Sequence, residues 1–251
     1  MKIQYCSDLH LEFDLNSNFL AETNWEVSGE VLILAGDIAP LHDNYLVNPF
    51  FSFLSANYKA VFWVPGNHEF YHRDLHDFKP SFHLKIRENI HLLHNTRIVY
   101  EGIEFLCTTL WTHLNEPTIP LIEKGVADFA AISQKGKRLK ANDYNQLHQE
   151  SLKFLKSAIE NATHPTVVVT HHLPSMLCNS PEHAESSLNE AFCVDLTAFI
   201  RDCKANFWIY GHSHFNQKPL IIGETMLLTN QLGMVMSNEH GQFRNGAYFS
   251  I

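Results

Sequence analysis

Two histidines, His212 and His214 in "WIYGHSHF", lie one residue apart and directly follow an apolar run and a glycine. Imidazole is costly to bury without a partner, and it is a preferred ligand of borderline divalent metals. Four other places in the chain repeat the arrangement. The apolar run at 2–6 leads into Asp8 and His10 of "SDLH", and the run at 31–35 into Asp37 of "GD". The run at 60–64 leads into Asn67, His68 and Glu69 of "PGNHE", and the run at 166–170 into His171 and His172. One such aspartate alone reads as a helix cap or a turn. Five runs that each end in Asp, Asn or His are not explained by independent turns.

The residue types point to metal chemistry. Oxygens from Asp8, Asp37 and Asn67 with imidazoles from His10, His171, His212 and His214 suit manganese, iron or zinc. The set is too rich in nitrogen for magnesium or calcium alone and lacks the thiolates of a structural zinc site. Seven ligands exceed the needs of one ion. They suit two, about 3.5–4 Å apart, that share a carboxylate and a bridging water or hydroxide. Asp37, central in the ligand order, is the expected bridge. Such a pair lowers the pKa of the bridging water and neutralises the oxygens of an attacked phosphoryl group. At the double histidine, His171 follows its run directly and is the favoured ligand, with His172 as a supporting or pocket residue. In an extended segment residues one apart point the same way, so His212 and His214 are expected to face one site. Gly36, Gly66 and Gly211 each stand just before a ligand, where a missing Cβ eases a turn or close approach.

Positioning these groups requires strands. "KIQYC" (2–6), "VLILA" (31–35), "AVFWV" (60–64), "IEFLC" (103–107), "TVVVT" (166–170), "NFWIY" (206–210), "TMLLT" (225–229) and "AYFSI" (247–251) are short, continuous and apolar, the pattern of buried strands. Helices are expected at 143–162, with Asp143 near its start as cap, and at 190–203. Alternating strands and helices predict an α/β protein with layered sheets. No linker or repeat divides residues 1–251, which read as a single domain. Residues 112–142 break the periodicity and read as a surface excursion near the site, a candidate lid, with "KGKRLK" as a solvated turn. Substrate selection is expected from loops 40–57, 70–85, 112–142 and 173–189, with His113 and Arg73 as candidate substrate contacts and Phe70 or Tyr71 as candidate pocket walls.

Composition narrows the rest. The chain has 251 residues and a formal net charge of -9, which disfavours a nucleic-acid partner. There are five cysteines and no C-x-x-C pair, so free thiols in a reducing compartment are expected rather than disulfides. No signal-peptide pattern opens the sequence, and no apolar run approaches the roughly 20 residues of a membrane span. A cytoplasmic protein without membrane contact is the expectation. With 17 histidines, most must be surface or packing residues.

In order, D-L-H, G-D, G-N-H-E, H-H and G-H-S-H resemble the motifs of the calcineurin-like metallophosphoesterase superfamily, across residues 8 to 214. The resemblance implies a four-layer αββα sandwich of two mixed sheets and a dinuclear centre of divalent ions, manganese or iron favoured over zinc. Carried over by position, Asp8, His10, Asp37 and His214 would hold one metal, and Asp37, Asn67, His171 and His212 the other. His68 would contact the phosphate or protonate the leaving group, and Glu69 would orient His68 from its second ring nitrogen. The implied activity is hydrolysis of a small phosphomonoester or phosphodiester by a metal-bridging hydroxide. Protein phosphatases of the superfamily often read G-D-x-V-D-R-G at the second motif. Here it reads "GDIAPLH", which counts against that class, while "LLTNQLGM" resembles small bacterial phosphoesterases of unassigned substrate. The alternatives are a nuclease of the same superfamily and a protein-binding scaffold that has lost its metals. The first would carry more basic surface and the second fewer ligands.

Overall fold

The computed structural model describes residues 1–42, 46–183 and 185–251. Each apolar run expected to be a strand is one. In the first sheet β1 (Lys2–Cys6), β2 (Val31–Ala35) and β3 (Ala60–Val64) run parallel, so their carboxyl ends emerge at one edge. Two strands not anticipated, β4 (Phe82–Arg87) and β5 (Ile90–His94), extend that sheet beyond β3. Their polar or half-buried residues conceal the strand pattern: Lys85 and Arg87 on β4 lie on an edge that solvent reaches. The second sheet is built on β7 (Ile103–Thr108), β10 (Thr166–Thr170), β11 (Phe207–Tyr210) and β13 (Thr225–Thr229), all parallel. It is edged by antiparallel β6 (Thr96–Tyr100) and β12 (Leu220–Ile222), and antiparallel β14 (Tyr248–Ser250) edges the first.

Strand alternation assigns each face. On β2, Val31, Ile33 and Ala35 join the core between the sheets, where they meet Phe105, Val167, Val169 and Ile209. Leu32 and Leu34 point the other way, onto Phe51 and Leu54 of helix α2 (Pro49–Asn57), beside α1 (Asp14–Glu22). The outer face of the second sheet packs Leu106, Val168 and Trp208 on Leu155 and Ile159 of a long helix, Ala141–Glu160. Both sheets are therefore buried on both faces and sandwiched by helices, four layers in all. Full burial of each such aliphatic side chain contributes roughly 1.5–3 kcal/mol.

Two expectations are corrected. The long helix begins at Ala141, and Asp143 lies inside its first turn, accepting from Lys140 N at 3.1 Å instead of standing before it. The stretch 190–203 is not one helix. A 3-10 turn at Asn189–Ala191 opens it, Cys193 bridges to Leu173, and Val194 N donates to Leu173 O at 3.0 Å, so the chain is extended there and α-helix forms at Thr197–Asp202. Tertiary pairing overrides a helical pattern. Residues 112–142 contain short helices at Ile119–Gly125 and Asp128–Ala131 and a hairpin of half-buried β8 (Ser133–Gln134) with exposed β9 (Lys137–Arg138). They pack through Leu114, Ile122, Phe129, Ile132 and Leu139 onto Trp111 and Tyr144, a firmly anchored segment with its own apolar core. Of "KGKRLK", Lys135 and Gly136 form the hairpin's exposed turn and Lys137–Arg138 its second strand, whereas Leu139 is buried in that core, so the stretch is not wholly a solvated turn.

Candidate metal centre

The carboxyl ends of β1, β2 and β3 face those of β10 and β11, and backbone hydrogen bonds hold that edge closed. Asp8 N donates to Gly36 O and His10 N to Asp37 O, both at 2.9 Å. Across the sheets, His212 N donates to the Asp8 carboxylate at 3.0 Å. Asp8, His10, Asp37, His212 and His214 all have positive φ, between 48° and 77°. Such left-handed conformations are disfavoured for residues with a Cβ and gather at functional sites. They also revise the expectation for the G-H-S-H pair: left-handed turns, not strand alternation, aim His212 and His214 into the site. Gly36 is required twice over. Its φ is +90°, and a Cβ there would strike the His171 ring; one at Gly66 would strike Asp37.

Hydrogen-bond partners identify the proton on each ring. His10 Nδ1 faces Glu12 at 3.1 Å and His214 Nδ1 faces Glu239 at 2.6 Å. A carboxylate only accepts, so both Nδ1 atoms carry the hydrogen, and in the neutral rings both Nε2 atoms are bare lone pairs. Those two Nε2 atoms face each other at 3.0 Å. Asp8 Oδ1 is 3.5 Å from His214 Nε2, and Asp37 Oδ2 is 3.8 Å from His10 Nε2. A second cluster lies around His171. His171 Nδ1 lies 3.0 Å from Ala35 O, which leaves Nε2 as an acceptor. Around that Nε2 stand Asn67 Oδ1 (3.1 Å), His212 Nδ1 (3.0 Å) and Asp37 Oδ2 (3.3 Å). Around His10 and His214 acceptors gather without donors and repel one another, a conflict that a cation, a proton or a metal ion, resolves; around His171 only the His212 Nδ1 could supply a hydrogen. The donor set fits a borderline divalent metal, and Asp8–His10–His214 and Asp37–His171–His212 are the groups that could hold one.

Electrostatics agree with this. Burial pushes the Asp37 carboxyl up, but the imidazoles of His171, His68 and His10 outweigh it and hold the group well below its usual range. Burial, His172 and His171 drive His212 well below the ordinary histidine value, as a neutral ligand requires. His172 lies against the His212 ring, centroids 4.2 Å apart, but its nitrogens point elsewhere, Nε2 at 3.1 Å from the Tyr144 hydroxyl and Nδ1 at 3.2 Å from Thr109 O.

Glu69 does not orient His68. Its carboxylate is fully buried and accepts from Asp37 N (2.9 Å), Ile38 N (2.7 Å), Gly66 N (2.6 Å) and Trp63 Nε1 (3.0 Å), pinning the turn that carries Asp37. It leaves the neighbouring His68 because backbone donors of the β2 turn lie within its reach. His68 Nδ1 instead meets Glu12 at 2.8 Å, and its ring stacks on Tyr71 with centroids 4.1 Å apart. Glu12 was legible in principle, two residues beyond His10 as His10 is two beyond Asp8. Two other contributors carry no local signal: Asp128, which accepts from Asn67 Nδ2 at 2.8 Å, and Glu239 behind His214. Arg73 donates to Leu41 O at 2.6 Å and lies over Phe78, so it serves the fold. His113 is exposed, and Phe70 is buried against Trp111. Residues 43–45 and 184, in two of the loops expected to select substrate, lie outside the described residues.

Known proteins place the chain. An uncharacterised protein of Acanthamoeba polyphaga mimivirus, L509, is 30% identical over 274 residues, covering 99% of this chain and 96% of that protein. Phosphopantetheinyl hydrolase from Mycobacterium tuberculosis, a solved structure, aligns with a TM-score of 0.71 at 18% identity over 100% of this chain and 95% of its own, and so shares the fold. The family model for calcineurin-like phosphoesterases matches residues 1–216, and the chain belongs to that family as a metal-dependent phosphoric ester hydrolase.

Proposed function

We propose that this protein hydrolyses a small phosphomonoester or phosphodiester at a centre of two divalent ions. Asp8, His10, Asp37 and His214 would hold one ion, and Asp37, Asn67, His171 and His212 the other. The observation that carries this reading is the single oxygen Asp37 Oδ2, which stands 3.8 Å from His10 Nε2 and 3.3 Å from His171 Nε2 and so belongs to both acceptor clusters. Manganese or iron suits four imidazoles and three oxygens. When bound, such ions activate water and neutralise phosphoryl oxygens.

The chain's own residues supply the rest. His68 N donates to Asp37 Oδ1 at 2.9 Å, which turns the other carboxylate oxygen toward the clusters. His68 sits beside the centre with Nδ1 occupied by Glu12, leaving Nε2 to donate a proton to the departing oxygen. Burial pulls the His68 proton affinity down, but Asp37 and Glu12 more than compensate and raise its pKa to about 9 before any ion shares Asp37. The net charge of -9 favours a small substrate over a nucleic acid. The five unpaired cysteines support a reducing, cytoplasmic setting.

The test is metal content and hydrolysis together. Asp37→Ala and His212→Ala are each expected to lower bound manganese and to abolish hydrolysis of para-nitrophenyl phosphate and bis-para-nitrophenyl phosphate. Full metal-dependent activity in both variants would overturn the reading.

A further inference from the structure

Glu12 touches two histidines through one atom. Its Oε1 lies 3.1 Å from His10 Nδ1 and 2.8 Å from His68 Nδ1, and the two rings meet edge-on with centroids 4.5 Å apart. The other oxygen, Oε2, is buried and has no hydrogen-bond partner among the described residues. One carboxylate oxygen thus serves both rings while the other has no partner, so the contacts Glu12 makes are the two to His10 and His68. Both neighbours belong to the candidate centre, His10 as a ligand and His68 as the acid.

We propose that Glu12 is a positioning residue for both halves of the reaction. By accepting from His10 Nδ1–H it turns the Nε2 lone pair of His10 toward His214 and Asp37, where an ion would sit. By accepting from His68 Nδ1–H through the same oxygen it aims His68 Nε2 at the leaving oxygen. The shared atom fixes the two rings relative to each other, so the proton donor is held in register with the metal side. As a water oxygen bonds to phosphorus and its proton is lost to solvent, the P–O bond to the leaving group breaks, its electron pair stays on the departing oxygen, and the proton passes from His68 Nε2 to that oxygen, leaving a neutral ring. Glu12 keeps its charge and only holds the ring.

This rests on the role given to His68 above, and the experiment separates the two. Glu12→Gln, His68→Asn and the double variant are assayed at saturating manganese on phenyl phosphate, a poor leaving group, and para-nitrophenyl phosphate, a good one. His68→Asn is expected to lose about 100-fold in kcat on the poor leaving group and far less on the good one. Glu12→Gln is expected to show the same selectivity, with no further loss in the double variant. If His68→Asn affects both substrates equally, the leaving-group role of His68 fails and this role of Glu12 falls with it. If His68→Asn is selective and Glu12→Gln is not, or if the losses multiply, only the Glu12 assignment is overturned. Manganese titration of the metal-free protein reads the other half. Glu12→Gln is expected to weaken affinity about tenfold and His68→Asn to leave it unchanged; unaltered affinity in Glu12→Gln overturns the His10 half. Glu12→Asp keeps the charge but withdraws it from both rings, so it should repeat the selective loss, and wild-type behaviour would count against the proposal.

Discussion

The side-chain amide of Asn67 is held by Asp128: Asn67 Nδ2 donates to Asp128 Oδ1 at 2.8 Å, and the Tyr71 hydroxyl donates to the same oxygen at 2.9 Å. With its nitrogen committed, the amide must present Oδ1 to His171 and its cluster. Asp128 comes from the segment 112–142, so the surface excursion read as a candidate lid supports the candidate centre from behind.

Removing that acceptor should therefore act on metal binding before it acts on chemistry. In Asp128→Ala the amide can rotate, and manganese affinity is expected to fall about tenfold, within the range found for outer partners of metal ligands. Activity should return at high manganese. Asp128→Asn retains an acceptor oxygen and should keep most of the affinity. Calorimetric titration of the metal-free variants checks both; an Asp128→Ala protein with wild-type affinity would show that Asn67 needs no such support.

The adjacent histidines of β10 offer a sharper contrast, because they differ in partners and not in burial. Both are fully buried. His171 faces Asp37, Asn67 and His212, whereas His172 is bonded to Tyr144 and Thr109. His171→Ala is expected to lose bound metal and hydrolysis. His172→Gln is expected to keep metal stoichiometry while losing about 1–3 kcal/mol of stability through imperfectly replaced hydrogen bonds. Elemental analysis alongside thermal melting distinguishes them, and the opposite pattern would exchange their roles.

These cases show where sequence reading succeeds and where it stops. That Asp8, His10, Asp37, Asn67, His171, His212 and His214 gather at one edge was legible because each follows an apolar run buried on both faces, and parallel strands carry such residues to a common edge. Strands β4 and β5 were not, because Lys85, Arg87 and the histidines of "IHLLH" break the apolar pattern at a sheet margin. Glu69 took its expected role from the family resemblance, but its carboxylate follows the stronger demand of four N–H donors around the Asp37 turn. Asp128 and Glu239 meet their histidine or amide only through long-range packing, which no local pattern encodes.

Glu69 provides a stability test of that demand. All its close partners are donors, two on Oε2 (Asp37 N and Gly66 N) and the others on Oε1. Glu69→Gln puts an NH2 against one of those sets, leaving buried donors unpaired at about 1–3 kcal/mol each. A fall in Tm of several degrees is expected, at roughly 2–4 °C per kcal/mol for a chain of this size, together with loosened metal binding at Asp37. A Glu69→Gln protein as stable as the parent would mean that the turn does not depend on the carboxylate.

His94, at the end of β5, gives a pH-dependent expectation away from the metal ligands. It is buried between Phe82, whose ring centroid is 5.3 Å away, and Phe70, with Thr109 Oγ1 at 3.0 Å from Nδ1. Burial lowers its pKa from 6.5 to about 3 in the folded protein. The unfolded chain thus takes up a proton at a pH where the folded protein refuses it. The neutral ring's contribution to stability is fully present above pH 6.5 and is lost progressively as pH falls toward 3, by about 1.4 kcal/mol per pH unit for this group alone. His94→Gln removes the titration. Denaturant unfolding between about pH 6 and pH 4 should therefore show a stability curve shallower by that amount per unit in the variant than in the parent. Parallel curves would mean that His94 is protonated in the folded protein, and that water or a carboxylate reaches the ring at acid pH.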